Sequence, residues 1–208
     1  MGYPSIGTSF DHFNDRLVYH SGDMPWTQMD FQSNNETLYS RSLSGRVQTR
    51  SFSTQYFSWK AVFTPLTHTE FKPIYAFMHG KAGRLSPYTI TIPGLAHEGT
   101  ITTGTATGTI GSRDLTVSGT GTLKAGDLIS FNNTSGEHWK VYMVTDDVTL
   151  SGSGTVNIFP GLIKAETTQT FYTGQNIKFL ARSVNDVQTY NLRTDGFYRF
   201  EIDMEETF

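Results

Sequence analysis

The chain has 208 residues, with 16 Lys and Arg against 19 Asp and Glu, a net charge of -3 and no cysteine. These figures exclude a disulfide framework, a thiolate zinc site and a cysteine nucleophile. With no Lys/Arg run there is also no electrostatic footprint for nucleic acid.

Charged residues are only 17% of the chain, while it holds 30 Thr, 18 Ser, 15 Phe and 10 Tyr. That balance predicts strands under a hydroxyl-covered surface. No apolar run approaches the ~20 residues of a bilayer-spanning helix, so membrane insertion is not expected. The opening MGYPSIGTSFDHF lacks a basic region followed by an apolar core and is not expected to act as a signal peptide. The first thirty residues, punctuated by Pro4, Gly7, Gly22 and Pro25, fit a strand or two plus an extended arm. Trp26 follows Pro25 in this loop-like stretch and is the candidate exposed aromatic.

From Asp30 to Thr64 the pattern becomes β. In QYFSWKAVFT, Phe57, Trp59, Ala61 and Phe63 share one face and Tyr56, Ser58, Lys60, Val62 and Thr64 the other, the period of a half-buried strand. SLSGRVQTRSFS reads as its antiparallel neighbour, with Gly45 at a bulge or bend. The period then changes. Phe71, Ile74, Tyr75 and Met78 fall on one helical face, and Gly80 and Gly83 supply a stop. Thr67 and Glu70 have capping-box spacing, but a start there puts Pro73 sixth in the helix. Thr69 is therefore the expected N-cap, giving a helix over about 69–80. SPYTITIP follows as a strand with Tyr88, Ile90 and Ile92 inward.

At about Ala96 the composition shifts to a Thr/Gly-rich, almost uncharged run over 99–122. Four β-like pieces follow it: DLISF, HWKVYMVT, TVNIFPGL and IKFLARS, separated by turn signals. Short strands at this spacing without a helix predict a small barrel over 96–180. The tail FYRFEIDMEE alternates again, with Tyr198, Phe200, Ile202 and Met204 inward. It resembles the strand over 55–64, so the chain is expected to return to its first sheet. The expected fold is thus mainly β with one short helix. A β-sandwich-like domain (1–95 and 181–208) carries an inserted, OB-like β-barrel (96–180).

Catalytic signatures are sparse. The six histidines show no H-x-H or HExxH spacing, and there is no G-x-S-x-G elbow or GxxxxGK[ST] loop. Asp146 and Asp147 fall in an expected turn, and Glu201, Asp203, Glu205 and Glu206 on an expected outward strand face. Trp59 and Trp139 lie within expected strands, where core packing is the simpler role.

The stretch RSFSTQYFSWKAVFTPLTHTEFKPIYAFMHGKAGRLSPYTITIP, the later phrases KAGDLISF, HWKVYMVTDDV and VNIFPGL, and the closing FYRFEIDMEE resemble the distal tail proteins of long-tailed bacteriophages. The resemblance covers most of residues 38–206. It implies a structural virion protein, not an enzyme, that needs no cofactor. Such a protein forms a ring, usually hexameric, at the tail tip after synthesis in the host cytoplasm. Its partners are then other copies of itself, the tail tube protein, the baseplate hub, and tail fibre or receptor-binding proteins. Phe57, Trp59, Phe63, Phe71, Ile74, Tyr75 and Met78 are the subunit-interface or packing candidates. A rival reading is a carbohydrate-binding β protein that contacts host glycans through the barrel. An enzyme reading would rest on Asp146, Asp147 or Glu201.

Overall fold

A computed structural model describes residues 16–17, 26–92, 95, 97–131 and 138–208. The chain first forms β1 (Arg16–Leu17), β2 (Trp26–Arg41), β3 (Val47–Phe63), α1 (His68–Gly80) and β4 (Tyr88–Ile90). It continues through β5 (Thr103–Gly108), β6 (Asp114–Leu123), β7 (Leu128–Ser130), β8 (Val141–Val144), β9 (Val148–Phe159) and β10 (Glu166–Thr173). It closes with β11 (Phe179–Ser183), β12 (Tyr190–Leu192) and β13 (Tyr198–Glu206). An open sheet has the order β1-β4-β11-β13-β3-β2, with β12 added beside β13. Strands β5 to β10 close a barrel in the order β10-β5-β6-β9-β8-β7. The chain thus leaves the sheet after β4, builds the barrel, and re-enters the sheet at β11.

Period-2 alternation over β3 does what it predicts. Phe57, Trp59, Ala61 and Phe63 are buried, while Tyr56, Ser58, Lys60 and Val62 are half-exposed. In β13 Phe200, Ile202 and Met204 are buried beside them. The sheet's core is aromatic. Phe31 stacks on Phe57 at 5.0 Å, Trp59 meets Phe179 at 5.2 Å, and Phe71 stacks on Tyr198 at 4.4 Å. Such pairs add about 0.5–1.5 kcal/mol each beyond the area they bury.

Helix α1 covers this core with Phe71, Ile74, Phe77 and Met78. Its N-cap is Thr67, not the expected Thr69. Glu70 reaches back, accepting the Thr67 N–H at 2.8 Å and its hydroxyl at 2.7 Å. Pro73 therefore sits in the sixth helical position after all. The cap and the burial of Phe71 and Ile74 offset the hydrogen bond that Pro73 cannot donate.

Two strand expectations need correction. SLSGRVQTRSFS is not a neighbour of the 55–64 strand but the turn and first half of the same strand, β3, whose partner is β2. Gly45, at φ +81°, closes the turn, donating its N–H to Ser42 at 2.9 Å. A turn ending on a left-handed residue is what glycine accommodates without strain. IKFLARS, expected among the barrel pieces, supplies β11 of the open sheet between β4 and β13. The reason is that Phe179 and Ala181 face the aromatic core.

In the barrel the Thr/Gly-rich run forms β5 and β6. Ala106, Leu115 and Val117 are buried between outward Thr and Ser. β6 pairs with β9 from Asp114↔Asn157 to Leu123↔Val148. At Gly104 a Cβ would lie 2.7 Å from the Ser118 carbonyl oxygen and 2.8 Å from the Phe171 ring, so only glycine fits there. β10, with Phe171 buried, has no counterpart among the expected pieces.

Candidate functional site

The interface-or-packing candidates divide cleanly. Phe57, Trp59, Phe63, Phe71, Ile74 and Met78 are all buried within the chain, so they pack the core and are not available to a partner. Tyr75 is half-buried, packed against His79 and Tyr190. Trp26 opens β2 instead of lying in a loop, and its side chain falls outside the described residues. Trp139 precedes β8, outside any strand, and is half-buried. Among the described barrel residues, Ile110 is the one large apolar side chain that is strongly exposed, and the half-buried Phe159 lines a pocket with it.

The main polar structure lies where the barrel meets the sheet. Lys140, just before β8, and Glu206, ending β13, form a fully buried ion pair. The Glu206 carboxylate also accepts the N–H of Val141 at 2.8 Å and of Phe57 at 3.1 Å. The Lys140 ammonium lies over the Phe57 and Phe208 rings at 5.2 and 4.9 Å. One carboxylate thus ties β3, β8 and β13 together. Burial pushes Glu206 above its ordinary range and Lys140 below it, and their mutual attraction opposes both shifts. Val141 and Leu128 of the barrel complete the contact by joining the sheet's apolar core. Glu206 was expected on an outward, solvated face. Instead it holds the same inward phase as Phe200, Ile202 and Met204.

A second buried chain runs through the barrel. The Ile163 N–H donates to the Tyr142 hydroxyl at 3.1 Å, and that hydroxyl lies 2.7 Å from His138 Nε2. The other ring nitrogen, Nδ1, contacts Glu166. A neutral imidazole with its proton on Nδ1 satisfies every member. Burial holds His138 below its ordinary value, with Glu166 opposing that shift. Near the barrel entrance, buried Asp127 accepts the N–H groups of Glu98, Gly99 and Lys124 at 2.8–3.1 Å. These groups organise backbone. Among the described residues no three His, Asp or Glu converge as metal ligands.

The carboxylates of the enzyme reading are dispersed. Asp147 pairs with Lys124 at 2.7 Å and Asp146 accepts from Asn157 at 2.9 Å, both in the β8–β9 turn. Glu201 is on the open sheet, paired with Lys60 at 3.1 Å.

Two surfaces stand out at opposite ends of β3. Beyond the sheet, β2 and β3 continue as a bare two-stranded ribbon in which every residue from Asn35 to Arg50 is exposed. From the Asn35↔Gln55 pair to the turn it extends about 23 Å at ~3.3 Å per residue. Leu38, Tyr39, Leu43 and Val47 on it are each at least 48% exposed. It also carries Arg41, Arg46 and Arg50 against the single acid Glu36. At the other end lies a groove of about 550 Å³ lined by Val62, Val187, Tyr190, Arg199, Glu201 and Asp203. On the adjoining sheet face, Glu201 holds Lys60 above its ordinary pKa, and Asp203 and Asp30 add to that effect.

Neither a scan of family models nor a search of curated proteins finds a match to this chain.

Proposed function

We propose that this chain is a structural component of a phage tail tip, forming a ring that joins the tail tube to the hub and the host-recognition apparatus. The observation that carries this reading is the chain path. An open, helix-covered sheet emits a closed barrel after β4 and takes the chain back at β11. That is the arrangement which the resemblance of 38–206 implies. Supporting it is the buried Lys140–Glu206 pair, which holds the barrel on the sheet, as a projecting module of a ring would need. Edge strand β2 with its bare ribbon is the kind of element through which sheets recruit other chains. Copies related head to tail give a closed ring when the rotation per subunit fits.

Electron microscopy of the purified protein and of assembled tails tests the reading. The expected result is a closed ring, with the protein labelled at the tail tip. Tails that assemble fully, tip included, from a genome lacking this gene would sink it. Flanking tape-measure and hub genes are expected on either side of the coding sequence.

A further inference from the structure

We propose that the cleft between the root of the β2–β3 ribbon and the barrel binds a short apolar peptide by its two charged ends. The site goes beyond the tail-tip reading and does not depend on it.

The cleft has a volume of about 400 Å³, within the range of small-molecule sites. Its barrel wall is built from the β5–β6 and β9–β10 loops, which are held to one another. The Gly111 N–H donates to the Leu162 carbonyl at 2.6 Å, and the Leu162 N–H to the Ser112 carbonyl at 2.9 Å. A Cβ on Gly161 would lie 2.6 Å from the Gly111 carbonyl oxygen, so the loops meet backbone to backbone. This wall is formed before any ligand arrives, which lowers the ordering cost of binding. Exposed Ile110, with Phe159 and Leu162, makes it largely apolar.

The opposite wall is polar. Along the inward phase of β2 and β3, the rings of Phe31, Phe57 and Trp59 give way to Asn35 and Gln55, which pair across the two strands. Both line the cleft. Gln55 is 2% exposed, and its Nε2 donates to the Ser33 hydroxyl at 3.0 Å. Its Oε1 is buried with no hydrogen-bond partner. A buried carbonyl oxygen without a donor is rare and costly, so one supplied by a ligand is favoured there. Glu36 lies on the same wall and gives it a negative sign, which selects a cationic donor.

The two walls carry opposite charges that do not meet. Arg113, on the β5–β6 loop, lies over the Phe159 ring at 5.2 Å. Its guanidinium has no ion pair or hydrogen bond to another described residue, and neither has the exposed Glu36 carboxylate. A neutral polyol leaves both charges unanswered, and a simple anion or cation leaves one. A peptide with free ends answers both. Its ammonium donates to Glu36 and to Gln55 Oε1, its carboxylate accepts from the planar fork of Arg113, and its apolar side chains cover Ile110 and Leu162. The volume suits a dipeptide or tripeptide and excludes a folded chain.

Isothermal titration calorimetry and ligand-detected NMR on the full chain test this, with leucyl-leucine as the probe. Its N-acetyl form, its C-terminal amide and maltose are the controls. Leucyl-leucine is expected to bind wild type, and each blocked form to bind at least about tenfold more weakly. Arg113→Gln is expected to remove the preference for a free carboxylate, and Glu36→Gln the preference for a free ammonium, each leaving the other preference in place. Both side chains are exposed, so folding is expected to survive, and circular dichroism checks it. Ile110→Asp is expected to weaken binding of the dipeptide without abolishing either preference. No binding of leucyl-leucine at millimolar concentration overturns the proposal. Binding that a blocked form matches, or that both charge variants leave unchanged, overturns it too. Maltose that binds more tightly than the dipeptide would assign the cleft to a neutral sugar and would also overturn it.

Discussion

Removing the Glu206 side chain with Glu206→Ala is expected to be among the costliest single changes in the chain. It strands three donors in a site from which water is excluded: the Lys140 ammonium and the N–H groups of Phe57 and Val141. Breaking one partner of a buried ion pair costs about 3–5 kcal/mol, and an orphaned buried N–H about 1–3 kcal/mol. The terms overlap, so we expect about 4–5 kcal/mol against a total stability of about 5–15 kcal/mol. Lys140→Met alone leaves a buried carboxyl that takes up a proton, at about 3 kcal/mol. Lys140→Met combined with Glu206→Gln leaves no unpaired charge. It should cost less than the sum of its single changes by about 2 kcal/mol. Urea unfolding followed by both tryptophan fluorescence and far-UV circular dichroism reads these values. The wild type is expected to give coincident curves. In Glu206→Ala the curves should separate, because the barrel loses its polar anchor to the sheet. Additivity of the Lys140 and Glu206 changes within about 0.5 kcal/mol, or a cost below about 1 kcal/mol for Glu206→Ala, would refute the reasoning.

Acid should weaken the barrel through His138. Its folded value lies below the ordinary 6.5, so the unfolded chain takes up a proton near 6.5 while the native state does so only at lower pH. Stability is therefore full above the unfolded value and is lost as the pH falls from there to the folded one. His138→Gln should flatten the stability–pH curve between about pH 7 and about pH 5, and identical slopes for variant and wild type would contradict this. Gly83→Ala places a methyl 2.7 Å from Asp186 Oδ1 and 2.8 Å from its Cα, at a φ of +66°. A loss of about 2 kcal/mol or more, read as a lowered Tm, is expected. Glu70→Ala removes the acceptor for the Thr67 N–H and should cost about 1 kcal/mol in denaturant unfolding, whereas Thr69→Ala should cost much less.

The sheet was the more legible half of the molecule. Long alternating apolar runs such as 55–63 and 198–204 leave one choice of face, and the 3.6-residue period at Phe71, Ile74 and Met78 marks the helix. The barrel strands β5, β6 and β10 were harder because most of their residues are Thr, Ser and Gly, leaving few apolar side chains (Ala106, Leu115, Val117 and Phe171 among them) to mark the inward phase. β11 could not be assigned to its sheet because its pairing with β4, far earlier in the chain, and with β13, later in it, is set by topology, not by local pattern. The Lys140–Glu206 pair did leave a signal. In β13 Glu206 continues the inward phase of residues 200, 202 and 204, and in HWKVYMVT Lys140 shares the buried phase of His138, Tyr142 and Val144. Two opposite charges on inward positions of different strands point to each other. Treating the C-terminal acids as one solvated group concealed this.

The 17 residues of β3 run without a break from the tip of the ribbon, past the aromatic core, to the residues leading into α1, hydrogen-bonded to β2 along one edge and to β13 along the other. A pull on the ribbon is therefore directed along this strand, parallel to its own axis. Its ladder bonds lie across that axis, so they are loaded together in shear and cannot open one at a time like a zip. The same strand that shapes the core thus makes the ribbon a tether able to carry tension into the middle of the fold.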